Sequence, residues 1–272
     1  HRDLHSFPTR RSSDLLDEAG GVAVEGEIAR GPVRMALIYR WAQGHTAKPI
    51  KACVGAGPVQ LSTLAHFRGG PVKNRYDLSK ALADVFSTEI HELIEAGCRH
   101  IQLEDLGAWM PYLSGDKDWA WVNEIVDRTM RGIDRKTVHT SWHFCMGNAW
   151  GNKLEGMTAG GYRAILPHYL GVAVDEYVLD FACREMEDAD LLRQLPADKR
   201  IAAGVIDVRT LEIEHPEQVA ERVRKVLKHI EPERVTLTTD CGLKQLPRQV
   251  AREKLRALAD GALIVRRELG KA

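Results

Sequence analysis

The chain has 272 residues, of which 44% are hydrophobic and 28% are charged. This composition is typical of a soluble globular protein and excludes wholesale disorder. The 38 Lys and Arg residues balance 38 Asp and Glu residues, so the chain lacks the excess positive charge with which proteins bind nucleic acid or anionic lipid. No apolar run approaches the roughly 18–20 residues that span a bilayer. We therefore expect neither a nucleic-acid partner nor a membrane partner.

The five cysteines are an odd number in a long chain, which argues against a disulfide scaffold. A reducing, cytoplasmic environment fits them better, with the thiols acting as metal ligands or as core residues. The length of the chain suits a single α/β barrel. Its oligomeric state does not follow from the sequence.

The first fifteen residues, HRDLHSFPTRRSSDL, match the translation of a DNA sequencing adapter residue for residue. We expect an artefactual leader there, rather than a natural basic leader or a transit peptide, and the leader takes no part in the fold. Residues 16–272 are expected to form one domain that is incomplete at its N-terminus, because no linker, repeat or low-complexity tract divides them.

Short apolar or β-branched runs, bounded by polar or turn residues, predict the strands. The six runs are residues 50–55, 100–104, 137–143, 176–180, 201–208 and 235–239, and a weaker seventh is 21–27. Helical spacing of apolar residues predicts the helices between them. These helices cover about residues 78–94, 119–130, 219–230 and 248–267.

Alternating strands and helices predict a parallel sheet. From the strand at 100–104 onward, successive strands end roughly 27–39 residues apart, which is the length of one strand–helix–strand unit. An open doubly wound sheet is an alternative, but no GxGxxG follows the first strand. We therefore predict a (β/α)₈ TIM barrel that keeps about six or seven strands and has lost its first one or two.

A candidate metal site lies at the ends of the predicted strands. His143 and Cys145 are two residues apart, so they project from the same face of a strand. Cys241 directly follows the last predicted strand region, and the carboxyl ends of barrel strands converge at one mouth. Three such ligands with an open fourth position are typical of catalytic zinc. The sequence contains no CxxC pair, which argues against a closed zinc finger. The alternative is a core cysteine beside a solvated histidine.

The other cysteines and one aspartate are less certain members of this site. Asp180 ends a predicted strand, where it is either a fourth, oxygen ligand or a cap for the following turn. Cys183 is an alternative ligand, but its place beyond the strand favours core packing. Cys53 and Cys98 are expected to be buried small hydrophobes.

Two adjacent carboxylates, Glu104 and Asp105, end another predicted strand. Carboxylates are costly at such a position unless they are paired or used. They are candidates for holding a substrate ammonium group or for moving a proton. The alternative is a local salt bridge or a helix N-cap.

Several segments together resemble the catalytic domain of the cobalamin-independent methionine synthase family, closest to its short, archaeal-type members. The segments are HFCMGN at 143–148, LDFA at 179–182, GVIDVRTLEIEHPEQVAERV at 204–223 and TTDCGLKQLPR at 238–248. The resemblance extends over about residues 48–268. It implies a (β/α)₈ barrel with one catalytic Zn²⁺.

The family's zinc ligands fall on His143, Cys145 and Cys241, and Asp180 stands where the family has a glutamate, one methylene longer. The family's Asp-Glu-Pro element falls on Glu104, Asp105 and Leu106, with the carboxylates reversed and the proline absent. The residues implied in substrate binding are Glu104, Asp105 and Asn148.

The implied reaction is methyl transfer from 5-methyltetrahydropteroyl(poly)glutamate, or from methylcobalamin, to the thiol of homocysteine, which gives methionine. Coordination of the thiol to Zn²⁺ would remove its proton at neutral pH. Partners are thus a small-molecule thiol and a folate or corrinoid methyl donor. One alternative is zinc-dependent alkyl transfer to another thiol, as in relatives that open epoxides with coenzyme M. Another is an inactive truncated barrel with a structural metal or none.

Overall fold

The computed structural model describes residues 22–32, 34–148 and 160–271. Eight strands lie in these segments: β1 Val22–Val24, β2 Lys51–Val54, β3 Ala65–Phe67, β4 His100–Glu104, β5 His139–His143, β6 Glu176–Asp180, β7 Arg200–Ile206 and β8 Val235–Thr239. Seven α-helices accompany them: α1 Met35–Gln43, α2 Pro58–Thr63, α3 Arg75–Glu95, α4 Met110–Ser114, α5 Ala120–Thr129, α6 Pro216–Leu227 and α7 Arg248–Glu268.

Six strands form one parallel sheet in the order β2-β4-β5-β6-β7-β8. The sheet is curled and makes about half of a (β/α)₈ barrel, which confirms the predicted fold class. Its six strands are the six that were predicted, each within two residues at either end. Among the described strands, β2 and β8 each have one neighbour in this sheet, so they are its edges.

The weaker candidate at residues 21–27 contains β1, but β1 does not join the large sheet. It pairs in parallel with β3 to make a separate two-stranded sheet. The sequence did not predict β3, because its three residues are too few to show the alternation by which a strand is recognised.

The four longer predicted helices are confirmed as α3, α5, α6 and α7. Their ends follow capping chemistry: Asn74 accepts the backbone N–H of Asp77 at 2.8 Å before α3, and Pro216 occupies the first turn of α6. The short helices α2 and α4 span at most six residues, too few for a helical period to be visible. None of the described helices combines the length and apolar character needed to cross a bilayer.

The two faces of the large sheet differ in chemistry. On one face of β4, Ile101 and Leu103 are fully buried and belong to the main hydrophobic core, together with Ile90 and Leu93 of α3. The other face is concave and polar. On this concave face Lys51 donates to Gln102. Since strand side chains alternate between faces, the polar residues point toward the centre of the half-barrel.

This arrangement corrects the prediction that Cys53 is buried. Cys53 is exposed, because it shares the concave face with Lys51 and lies on the edge strand β2. Cys98 is fully buried, as predicted. The described residues include all five cysteines and contain no disulfide.

Gly204 in β7 lets the end of β8 approach closely. A Cβ at this position would lie 2.3 Å from Asp240 Oδ1 and 3.0 Å from the Leu179 carbonyl oxygen. We expect Gly204→Ala to lower the free energy of unfolding by about 1–3 kcal/mol, the usual cost of overpacking, measured by urea denaturation. Gly171→Ala is the matched control, because no atom lies within 4 Å of its added Cβ. Equal stability of the two variants would contradict this account.

Candidate metal centre

The structure brings His143, Cys145 and Cys241 together at the carboxyl end of the sheet. One ligand atom from each lies within 4.8 Å of the other two, and the two sulfur atoms are 3.7 Å apart. His143 ends β5, and Cys241 lies two residues after β8. His143 and Cys145 are almost fully buried, whereas Cys241 is partly exposed. The predicted convergence of these residues is therefore present in the fold.

The His143 ring is held in one orientation. Its Nδ1 lies 3.1 Å from the Val178 carbonyl oxygen of β6, and since a carbonyl only accepts, Nδ1 carries the proton. Nε2 then faces the cluster, and it can offer a lone pair to a metal ion once its own proton has left, the arrangement usual for a metal-binding imidazole. The same Nε2 lies 3.7 Å from Glu104 Oε2.

The two thiols differ strongly in acidity. The hydrogen bond from Cys145, followed by the neighbouring His143, lowers the pKa of Cys241 to about 4 against the opposing effect of burial. The same hydrogen bond and burial raise the pKa of Cys145 well above its usual value. Burial lowers the pKa of His143, but the hydrogen bond to Cys241 and the Glu104 charge outweigh it and raise that pKa to about 9. Without a metal, the Cys241 thiolate is thus stabilised by the protons on Cys145 and His143. A bound cation would replace these protons.

Asp180 lies fully buried beside this cluster. Its Oδ2 accepts the Met146 backbone N–H at 3.0 Å and Nη2 of Arg209 at 2.5 Å. Its Oδ1 is buried and has no hydrogen-bond partner among the described residues. Burial raises the pKa of Asp180 to about 6, against the charges of His143 and Arg209, which lower it. The predicted role of Asp180 as a ligand stays a prediction at this point.

The two predicted substrate carboxylates have different surroundings. The Glu104 side chain is 30% exposed on the concave face and accepts a hydrogen bond from Gln102. Asp105 is fully buried. Burial raises the pKa of Asp105 to about 6, although its backbone hydrogen bonds lower it. Of the two, only Glu104 has a carboxylate that faces open space.

Both oxygens of Asp105 are occupied by backbone amides. Oδ2 accepts the N–H of Val59 at 3.0 Å, and Oδ1 accepts those of Gln60 and Gly107 at 2.8 and 2.9 Å. Asp105 thereby ties the start of α2 to the turn after β4. These contacts favour the N-cap alternative for Asp105, and its role in substrate binding stays a prediction.

Asn148 links the loops that carry the ligands. Its Nδ2 lies 3.2 Å from the Gly242 carbonyl oxygen, and its backbone carbonyl accepts from the Gln245 side chain at 2.7 Å. Its Oδ1 is buried and has no hydrogen-bond partner among the described residues. Asn148 therefore lies beside the loop that carries Cys241, and its role in substrate binding stays a prediction.

Three buried side chains that support the site were not singled out from the sequence. Trp109 Nε1 donates to the Cys145 carbonyl oxygen at 2.9 Å. The Tyr162 hydroxyl donates to the Phe144 carbonyl at 3.2 Å and accepts the Asp180 N–H at 2.9 Å. Arg209 donates to the carbonyl of Gly147 at 2.8 Å. No spacing rule marks these residues, because each reaches the site from a distant segment.

A curled parallel sheet with an imidazole and two thiols at the carboxyl ends of its strands defines a barrel-type protein with a candidate metal centre. The family described as "Cobalamin-independent synthase, Catalytic domain" matches residues 18–263, so the chain belongs to this family. The resemblance stated from the sequence motifs is thereby confirmed.

Two curated relatives are named methionine synthase. The protein from Saccharolobus islandicus (strain L.S.2.15 / Lassen #1) is 34% identical over 198 residues, which are 72% of this chain and 53% of the relative. The protein from Thermococcus kodakarensis is 29% identical over 234 residues, 86% of this chain and 62% of the relative. The chain thus spans between half and two thirds of the length of these relatives.

Solved structures agree with the fold. A B12-independent methionine synthase from Shewanella sp. W3-18-1, in complex with selenomethionine, is 27% identical with a TM-score of 0.78, and the match covers 92% of this chain and 72% of that one. A putative vitamin-B12 independent methionine synthase from Listeria monocytogenes is 16% identical with a TM-score of 0.61, covering 88% and 72% of the two chains, and supports the fold alone.

The acidity of Cys241 predicts selective alkylation of the metal-free protein. At pH 6 Cys241 is a thiolate, whereas partial burial of the sulfur and the Glu104 carboxylate raise the pKa of Cys53 to about 11. Iodoacetamide should modify Cys241 roughly 10- to 100-fold faster than Cys53, because a larger thiolate fraction outweighs its lower intrinsic nucleophilicity. Peptide mass spectrometry over a time course measures both rates. Faster modification of Cys53 would refute the ordering.

Proposed function

We propose that this chain is the catalytic part of an S-methyltransferase that methylates the thiol of homocysteine to give methionine. The observation that carries the proposal is the meeting of His143, Cys145 and Cys241 within 4.8 Å in a member of the cobalamin-independent synthase family. The names of the similar proteins support the same reaction. The five cysteines without disulfides support a cytoplasmic location.

We further propose that the metal is Zn²⁺. One imidazole nitrogen and two sulfurs are donors that suit zinc, and three protein ligands leave a position for an exchangeable group. The buried Oδ1 of Asp180 is available beside them as an oxygen donor. When bound, Zn²⁺ supplies a cation that holds a substrate thiol as its thiolate at neutral pH.

The protein's own residues bind and orient the substrate in this proposal. Glu104 presents its partly exposed carboxylate toward the open concave side and is the candidate partner of the homocysteine ammonium group. Asn148 Oδ1, which has no hydrogen-bond partner among the residues that the structure describes, is the candidate second acceptor for that group. Asp105 instead holds the start of α2 to the turn after β4, because both of its oxygens accept hydrogen bonds from backbone amides.

The methyl donor is proposed to be a methyl-folate. The solved relative from Shewanella is described as B12-independent, which favours 5-methyltetrahydropteroyl(poly)glutamate over methylcobalamin. Alkyl transfer to a different thiol stays the second candidate, because Asp105 is occupied and leaves a single carboxylate for an ammonium group. Coenzyme M, which has no amino group, would not need that carboxylate.

The first test concerns the metal. The purified protein should bind about one zinc per chain, and Cys145→Ser and Cys241→Ser should each abolish binding, because each removes one of the three donor atoms that meet in the cluster. Cys53→Ser and Cys98→Ser are matched controls that should keep the zinc. Elemental analysis after dialysis measures the stoichiometry. Retention of zinc by the Cys145→Ser/Cys241→Ser double variant would show that the site lies elsewhere.

The second test concerns the substrate. Glu104→Gln should raise the KM for homocysteine about 10- to 100-fold, because a hydrogen bond to a charged group is worth about 1.5–3 kcal/mol. The KM for 3-mercaptopropionate, which lacks the amino group, should not change, and neither should the zinc content. Initial rates with a methyl-folate donor give both constants. Transfer to coenzyme M but not to homocysteine would favour the second candidate, and no transfer to any thiol by the zinc-loaded protein would contradict both.

A further inference from the structure

Arg209 is a buried cation at the centre of the strand ends. Its side chain is only 2% exposed. The residue lies in the loop after β7, a segment that has no role in the proposed function. Nε donates to the Gly147 carbonyl at 2.8 Å, Nη2 to Asp180 Oδ2 at 2.5 Å and Nη1 to Asp240 Oδ2 at 3.4 Å. A buried guanidinium is retained only where such contacts offset its lost hydration.

The contacts of Asp180 are divided between its two oxygens. Oδ2 is occupied by Arg209 and by the backbone N–H of Met146. Oδ1 is equally buried, yet it has no hydrogen-bond partner among the described residues. Buried carboxylate oxygens in folded proteins nearly always have a partner. The charges of His143 and Cys241 act on this carboxylate, although its oxygens do not belong to the group of ligand atoms that lie within 4.8 Å of one another. Asp180 therefore has an unused acceptor near the cluster.

We propose that Arg209 is a positioning residue that holds Oδ2 of Asp180 and thereby presents Oδ1 to the metal ion as an oxygen ligand. The inference rests on the proposed zinc site. Fixing one oxygen of a carboxylate fixes the direction of the other, and partners of this kind commonly orient metal ligands. The chain would thus compensate for an aspartate at this position through the rigid hold of Arg209.

The same contacts argue against a second metal site among the described residues. A second group of potential ligand atoms also lies within 4.8 Å of one another, one atom each from Asp180, Cys183 and Asp240. The Asp240 carboxylate, however, already accepts the backbone N–H groups of residues 181–183. The guanidinium of Arg209 contacts both carboxylates, so its positive charge takes the place that a cation would need.

The planar guanidinium is essential to this role. Its nitrogens reach a carbonyl and two carboxylates at once in fixed directions, whereas the single ammonium of lysine is a point charge on a flexible stem. Arg209→Lys keeps the positive charge and loses the planar guanidinium with its fixed donor directions. It therefore separates the effect of geometry from the effect of charge.

The test is a double-mutant cycle on zinc affinity. Chelator competition gives the dissociation constant for wild type, Arg209→Met, Asp180→Asn and the double variant. Arg209→Met should weaken zinc binding about 10- to 100-fold, as losses of partners of metal ligands do. In the Asp180→Asn background the same change should have an effect below about threefold, because the two residues act as one unit. Arg209→Lys should fall between wild type and Arg209→Met.

Co²⁺ substitution gives an independent readout of the ligands. Visible absorption of the Co²⁺ form should change in the same way in Arg209→Met and Asp180→Asn, because both lose the oxygen donor. Thermal unfolding of the metal-free proteins checks folding. If Arg209→Met does not fold, Arg209→Lys takes its place in the cycle, with an expected weakening of about threefold or more.

Three results would overturn the inference. Equal effects of the Arg209 substitution in both backgrounds would mean that it does not act through Asp180. Tighter zinc binding by Arg209→Met would mean that Arg209 withholds Asp180 from the metal. Failure of the wild-type protein to bind zinc would remove the proposed function as well, whereas the first two results leave that function intact.

Discussion

The carboxylate of Asp240 organises the end of the sheet where the candidate site lies. It is fully buried and accepts three backbone N–H groups from residues 181–183, at 2.7 to 3.1 Å. A buried carboxylate is tolerated only where hydrogen bonds offset its lost hydration. The hydrogen bonds of Asp240 therefore hold the turn after β6 against the end of β8. Cys241 is the next residue, and its thiol is placed relative to Asp180 by this junction. Gly204 provides the space, because any side chain there would collide with Asp240.

Polar contacts on the concave face extend the site toward the opposite edge of the sheet. Lys51 donates to Gln102, Gln102 donates to Glu104, and Glu104 lies 3.7 Å from His143. Each member comes from the inward face of a strand, and the chain of contacts follows the parallel register from β2 to β5. Gln102 supplies a hydrogen bond to the Glu104 carboxylate while leaving it partly exposed. A substrate group that enters from the open side thus meets an oriented carboxylate rather than a freely rotating one.

The sequence predicted the large sheet well because its strands are short segments rich in apolar or β-branched residues and bounded by polar or turn residues. It predicted the meeting of His143 and Cys241 because parallel strand ends share one edge. Properties that depend on tertiary neighbours were not predictable. The exposure of Cys53 depends on which strands flank β2. Two of the backbone amides that occupy Asp105 come from residues about 45 positions away. Arg209 lies within a quoted motif, yet a position in a motif does not reveal that its side chain is buried against Asp180.

The curvature of the sheet is what allows a metal centre at all. β5 and β8 are separated by β6 and β7, and neighbouring strands lie about 4.8 Å apart, so their backbones would be about 14 Å apart in a flat sheet. The sulfurs that follow these two strands are nevertheless 3.7 Å apart. The curl of the sheet, like that of a barrel wall, shortens this separation and helps the loops after β5 and β8 to bring Cys145 and Cys241 together. A metal ion held by both would tie β5 to β8, and its binding free energy would favour the curled sheet over a flattened one. The proposed zinc would therefore stabilise the same curvature that creates its site.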